Sequence, residues 1–180
     1  MKTFVYIDHF KGEVQPGSWE ALGLAKSFGA ANALVFGSGV DDVAKAAFEY
    51  GADEVLLADD PALLDYRAET YAATLSALVS SSAPDLILFP TTTRTRELAA
   101  MSALDLNSNV ITDATAVEIN SDTIFVTRPI YEAKLFEKVT STGKPQFITL
   151  RGRAFPKPDQ EAGRTGTTTG CRRWTSIARS

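Results

Sequence analysis

Leu86-Ile87-Leu88-Phe89-Pro90-Thr91-Thr92-Thr93-Arg94-Thr95-Arg96 is the stretch on which the fold turns. Its first four residues are apolar without alternation, which is how a strand reads when both of its faces are covered. Pro90 and the hydroxyl residues after it end the strand. A helix is predicted from about Arg94 to Leu104, presenting Leu98, Met101 and Leu104 toward the sheet. The same sequence of apolar run, polar loop and helical pattern occurs three times upstream, at Phe4-Val5-Tyr6-Ile7, Ala33-Leu34-Val35-Phe36 and Val55-Leu56-Leu57-Ala58. Four such units predict a doubly wound α/β fold, a mostly parallel sheet with helices on both faces.

The helix ends are also legible. Ser18 is a candidate cap for a helix carrying Trp19, Leu22, Leu24, Ala25 and Phe28, stopped by Gly29. Asp41 or Asp42 is a candidate cap for the next, which Gly51 ends. Asp60-Pro61 places an acceptor and a first-turn proline ahead of the long segment Tyr66 to Ser80. Beyond residue 105 the pattern changes to short strand-like runs, Asn109 to Ile111, Ala116 to Ile119, Thr123 to Val126 and Phe147 to Leu150, with turn residues at Asn120-Ser121-Asp122. These predict a small antiparallel β extension.

Composition narrows the chemistry. A chain of 180 residues, 44% hydrophobic and 22% charged, is long enough to bury a substantial core. No apolar stretch reaches the length of a membrane span, and no signal-peptide core follows Met1, so a cytoplasmic protein is expected. One cysteine, Cys171, and one histidine, His9, point away from metal sites. Residues 1 to 155 hold 13 basic against 20 acidic side chains, so nucleic acid is not the expected partner. The remainder is basic, with Arg164, Arg172, Arg173 and Arg179 among Gly, Thr and Ser, and it is assigned no fold.

In open α/β sheets ligands sit outside the C-terminal strand ends. Three loops there are candidates. Gly37-Ser38-Gly39 could bring backbone amides to a phosphate, but Asp41 and Asp42 stand where an anion would go and no full phosphate motif is present, so a plain strand-to-helix turn is favoured. Thr91, Thr92, Thr93, Arg94 and Arg96 gather hydroxyls and guanidinium groups at a helix start and make the better anion site. An inward Arg paired with a carboxylate, or with a partner chain, is the competing reading. Asp8-His9 invites acid/base chemistry, yet no activated nucleophile accompanies it, so a turn is preferred and a hydrolase ranks last.

Taken together, Val5-Tyr6-Ile7-Asp8-His9, the segment Gly51 to Pro61, Ile87 to Thr92 leading to Arg96-Glu97-Leu98-Ala99, Asn109 to Val117, Arg128-Pro129-Ile130-Tyr131, and Ile148-Thr149-Leu150-Arg151 with Ala154-Phe155 resemble the N-terminal domain of the electron-transfer flavoprotein α subunit. The resemblance covers roughly residues 2 to 157. It implies an adenine-nucleotide α-hydrolase-like domain over 1–157, followed by a disordered or non-native tail over 158–180. It also implies a scaffold without a catalytic site, which pairs with a β subunit in passing electrons from dehydrogenases, such as acyl-CoA dehydrogenases, to a quinone-linked acceptor. In that family FAD is held chiefly by a C-terminal domain, so no cofactor is expected on this chain. At Thr95 the family pattern has glycine, which predicts a more constrained loop here. A small module binding AMP or ATP is the alternative. Apolar area left exposed on the antiparallel half would favour a homodimer of the isolated chain.

Overall fold

Covered, continuously apolar strands dominate the computed structural model, which describes residues 1–121 and 123–170. In chain order the elements are β1 (Thr3–Tyr6), a short hairpin of β2 (His9–Phe10) and β3 (Glu13–Val14), α1 (Pro16–Ser27), β4 (Ala31–Gly37), α2 (Asp41–Glu49) and β5 (Glu54–Asp59). A 3₁₀ turn at Pro61–Leu63 leads to α3 (Ala68–Ser82), β6 (Leu86–Pro90), α4 (Thr93–Asp105) and β7 (Val110–Ala114). Then come β8 (Ala116–Asn120), β9 (Thr123–Ile130), β10 (Leu135–Val139), β11 (Gln146–Leu150) and β12 (Thr167–Gly170).

Seven strands form one sheet in the order β12-β5-β4-β1-β6-β11-β7, with every pairing parallel. A separate antiparallel sheet has the order β10-β9-β8. Two apolar layers enclose the large sheet. On one face Val5, Val35 and Ile148 meet α1, α2 and the small sheet through Leu22, Val43, Val117 and Val126. On the other, Phe4, Phe36, Phe89 and Phe147 meet α3 and α4 through Leu75, Leu78 and Leu98. The doubly wound architecture with an antiparallel extension is therefore present.

Several local assignments are corrected. Phe147 to Leu150 is not part of the extension: β11 lies between β6 and β7 in the parallel sheet, fully buried, and β7 joins it as the edge. A short buried run carries no sign of strand direction, and the antiparallel strand that was not anticipated, β10, is largely exposed. Ser18 does not cap α1. The helix starts at Pro16 after Gln15, and the Ser18 hydroxyl instead accepts from the Asp8 amide at 3.0 Å. Neither Asp41 nor Asp42 caps α2. Both lie in its first turn, where their charge suits the helix dipole. Asp60 does cap, but it caps the 3₁₀ turn by accepting from Ala62 N at 2.9 Å, and α3 begins later at Ala68.

Helix α4 starts at Thr93, with Thr92 as its cap. Its sheet-facing residues are Thr95, Leu98, Ala99, Ser102 and Ala103, which leaves Leu104 on the opposite side and 81% exposed. The tail assigned no fold is structured over 158–170, ending in β12 beside β5. Cys171, Arg172, Arg173 and Arg179 lie outside the described residues, as does Asp122 of the predicted turn.

Candidate functional site

From β1 the chain moves outward through β4 and β5, then returns to place β6 on the other side of β1. The reversal puts the ligand crevice of such a sheet between the loops after β1 and β6. The structure brings Asp8, Thr92 and Arg94 together there. Asp8 sits two residues beyond β1 and is almost fully buried. An Arg94 guanidinium nitrogen lies 2.9 Å from its Oδ1, and the Thr92 hydroxyl donates to Oδ2 at 2.9 Å. Burial pushes the Asp8 carboxyl above its ordinary pKa, outweighing the opposing pull of Arg94, the Thr92 hydrogen bond and His9. The carboxylate thus occupies the position that an anionic ligand of Arg94 would take.

Thr92 and Thr95 hold this loop in place. Thr95 N donates to Thr92 Oγ1 at 3.2 Å, Thr92 N donates to Thr95 Oγ1 at 2.9 Å, and the Thr95 hydroxyl donates to the Pro90 carbonyl. Thr95 is wholly buried, and its side chain fastens the loop. Thr91 donates to Thr149 Oγ1 at 3.1 Å, toward β11. Thr93 and Arg96 face solvent, and Arg96 makes no ion pair among the described residues. The predicted cluster is therefore split: Thr92 and Arg94 turn inward, and Thr93 and Arg96 turn outward.

The second loop is filled from a neighbouring strand. Gly39 N donates to Asp59 Oδ1 at 2.9 Å and Val40 N to Oδ2 at 3.4 Å, so the amides that could cradle a phosphate already hold a carboxylate. Asp59, at the end of β5, does what the sequence suggested for Asp41 and Asp42. Ser38 is half-buried and Gly39 exposed. A Cβ on Gly37 would fall 2.5 Å from Val40 Cγ1 and 3.3 Å from the His9 ring, which explains the glycine there as a packing requirement.

Between these loops lies an open cleft of about 1130 Å³, lined by His9, Phe10, Gly37–Val40, Tyr66, Tyr71 and Arg94 among others. The Arg94 guanidinium stands 5.8 Å from the Phe10 ring centroid and 5.9 Å from that of Tyr66. The Tyr66 hydroxyl is within hydrogen-bond reach of the Arg94 carbonyl and Glu97, and burial followed by Glu97 pushes its pKa up. Tyr71 is pushed up to about 12, chiefly by burial. His9 Nε2 donates to the Phe36 carbonyl at 2.8 Å, and Asp8 is engaged by Arg94 and Thr92. The neighbouring pair Asp8-His9 is thus committed to structural contacts. Among the described residues no group of three or more His, Cys, Asp or Glu could hold a metal, and no helix is long and apolar enough to cross a membrane.

Asp59, Phe10 and Tyr66 escaped the sequence reading. Asp59 carried a usable signal. It closes a strand adjacent to β4, so its side chain can reach back across one strand spacing to the Gly37-Gly39 turn. Phe10 and Tyr66 gave none, because their placement depends on the β2–β3 hairpin and on the turn before α3.

The model of the electron transfer flavoprotein domain matches residues 3–171, past the point near Pro158 where the resemblance read from the residues stopped. The electron transfer flavoprotein subunit alpha of Bacillus subtilis strain 168 is 30% identical over 159 residues, covering 87% of this chain and 49% of that protein. Protein FixB of Azorhizobium caulinodans is 32% identical over 169 residues, covering 88% of this chain and 46% of that protein. The lactate dehydrogenase (NAD(+),ferredoxin) subunit LctC of Acetobacterium woodii is 30% identical over 163 residues, 87% of this chain and 39% of that protein. The chain spans about half the length of the curated relatives it matches, or less. The chain belongs to the electron transfer flavoprotein domain family.

Proposed function

We propose that this chain is the N-terminal-type domain of an electron-transfer flavoprotein α subunit and acts as a scaffold for a β-type subunit. Within that pair, electrons pass from dehydrogenases, such as acyl-CoA dehydrogenases, to a quinone-linked acceptor, and the flavin belongs to a separate domain. The cleft does not suit a flavin or adenine pyrophosphate. Its two groups of anion donors are satisfied internally, Arg94 by Asp8 and the Gly39 and Val40 amides by Asp59.

The observation that carries the docking role is the β9–β10 arm. Tyr131, Leu135 and Phe136 are 74%, 56% and 62% exposed, which gathers three large apolar side chains at one tip. Tyr131, Glu132 and Ala133 all adopt left-handed backbone, with φ of 48°, 58° and 64°, so the tip is held in one unusual shape. Behind it the Arg128–Glu137 ion pair ties the two strands together, and the exposed Thr93 and Arg96 of the α4 start add a polar docking face.

Mixing the chain with a β-type electron-transfer flavoprotein subunit should give a one-to-one complex on gel filtration. Leu135→Glu with Phe136→Glu should weaken that complex at least tenfold while leaving the melting temperature of the chain unchanged. Equal affinity for both forms would remove the arm from the interface. The chain itself should be colourless, and a stoichiometric flavin band that survives gel filtration would refute the scaffold reading. Thermal shift with AMP, ATP and FAD addresses the nucleotide-module alternative. At 1 mM ligand a Kd near 10 μM would add ~2.7 kcal/mol of stability, whereas almost no shift is expected here.

A further inference from the structure

Beyond Phe155 the chain crosses α1 and α2 to reach the far edge of the sheet. Pro156 and Pro158 run so close to α1 that a Cβ on Gly23 would fall 2.9 Å from the Pro156 carbonyl oxygen. Glu49 then clasps the segment. Its carbonyl accepts from Glu161 N at 2.8 Å, and its carboxylate accepts from Gln160 Nε2 at 2.6 Å and Gly163 N at 3.1 Å. Arg164 pairs with Asp53 at 3.2 Å. Gly166 fits a notch: a Cβ there would lie 2.5 Å from the Phe48 ring and 2.9 Å from the Asp53 carbonyl oxygen. These contacts deliver Thr167–Gly170 into register with Glu54–Leu57.

The strand so delivered is unusual. All four residues of β12 are exposed and none is a large apolar side chain, so it contributes little to the core beyond its backbone ladder and one hydrogen bond from Thr169 to Glu54 at 2.7 Å. What it covers is an edge without defences. Val55-Leu56-Leu57-Ala58 has no charge, proline or glycine in its interior and pairs with β4 without a bulge. Edge strands of soluble proteins usually carry at least one such device against pairing with another chain. The outer edge of the small sheet does, with Glu137 and Lys138 on β10. The opposite edge of the large sheet does too, since the β11–β7 register shifts between Ile148 and Leu150.

We propose that residues 156–170 are an edge guard, and that the surface they mask is a strand-addition site for a second copy of this chain. With β12 displaced, the free backbone groups of β5 meet the β5 of another molecule across a two-fold axis. A register centred on Leu56 sets Val55 opposite Leu57 and Glu54 opposite Ala58, and leaves one acidic pairing, Asp59 opposite Asp53 just outside the strand of the other copy. The guard thus makes association through this edge conditional on release of the strap.

Gly166→Val in the full chain tests this, because the added side chain cannot share the notch with Phe48 and the Asp53 carbonyl. Its mass should double at concentrations at least tenfold below those at which the unmodified chain associates, while the amides of residues 55–57 stay protected from hydrogen exchange. Placing Leu57→Lys on the same chain should return it to the unmodified behaviour. If Gly166→Val disrupts the fold as judged by circular dichroism, Glu49→Gln with Asp53→Asn loosens the strap without crowding it, and the same shift is expected. Either variant showing a protease-sensitive 158–170 segment together with an unchanged mass and rapidly exchanging β5 amides would overturn the proposal. So would association that Leu57→Lys fails to reverse.

Discussion

Phe147→Ala is expected to destabilise the chain by about 3–5 kcal/mol, the range for truncating a buried phenylalanine. In a protein of this size that lowers the melting temperature by roughly 10 °C. Phe147 is fully buried in β11, and its ring lies 6.1 Å from that of Phe89 at an interplanar angle of 15°. Neighbours on both sides come from rigid strands and from α4, so the site has little room to collapse around the missing ring. Denaturant unfolding followed by circular dichroism measures the loss. Phe136→Ala provides the contrast: that ring is largely in solvent, and the change should stay within about 0.5 kcal/mol. A small effect at Phe147 would mean that β11 does not lie inside the large sheet.

Arg94→Ala is expected to cost about 3 kcal/mol near neutral pH, the lower end for a buried carboxylate that loses its partner. The lower end applies because Arg94 is itself 28% exposed. Asp8 would then keep only the Thr92 hydroxyl against its burial. The dependence on pH has a definite sign. A carboxyl whose folded pKa is raised contributes stability below its unfolded pKa, and that contribution is lost as the pH rises through the folded value. Burial already holds the Asp8 carboxyl above the usual carboxylate range, and removing Arg94, which pulls it down, raises it further. The deficit of Arg94→Ala should therefore shrink as the pH falls toward 4 and widen toward neutrality. Asp8→Asn, with no charge to bury, should cost about 1 kcal/mol and show no such slope. Urea titrations between pH 4 and 8 check both. A deficit for Arg94→Ala that is independent of pH would show that the ion pair is not what the arginine supports.

Much of the architecture was readable from the residues because the signals were local. Four uninterrupted apolar runs announce strands buried on both faces, and Gly29 and Gly51 mark helix ends. Phe147 to Leu150 was misplaced because its neighbours β6 and β7 are distant in sequence, and no periodicity within one short strand records which neighbour it takes. Of the candidate loops, the sequence offered an inward pairing of Arg94 with a carboxylate as the reading that competed with an anion site, and the structure shows that pairing. What stayed hidden was the partner in each case. Asp8 and Asp59 reach their targets across strand spacings that only the sheet order defines. The 158–170 segment was misread for a related reason. Its Gly-Thr composition is typical of unstructured chain, and its order comes from Glu49, Asp53 and Phe48, which belong to another part of the sequence.

Between β7 and β11 the small sheet occupies the place that a helix fills in each connection from β1 through to β7, for example α2 between β4 and β5. Since β7 and β11 run parallel as direct neighbours, the insert leaves from one end of the sheet and re-enters at the other, a span of roughly 16 Å for strands of five residues. Any alternative module that bridges this span and caps Ile148 and Ile111 could be grafted there. The small sheet is thus an exchangeable cassette, with the ladder beneath it left intact.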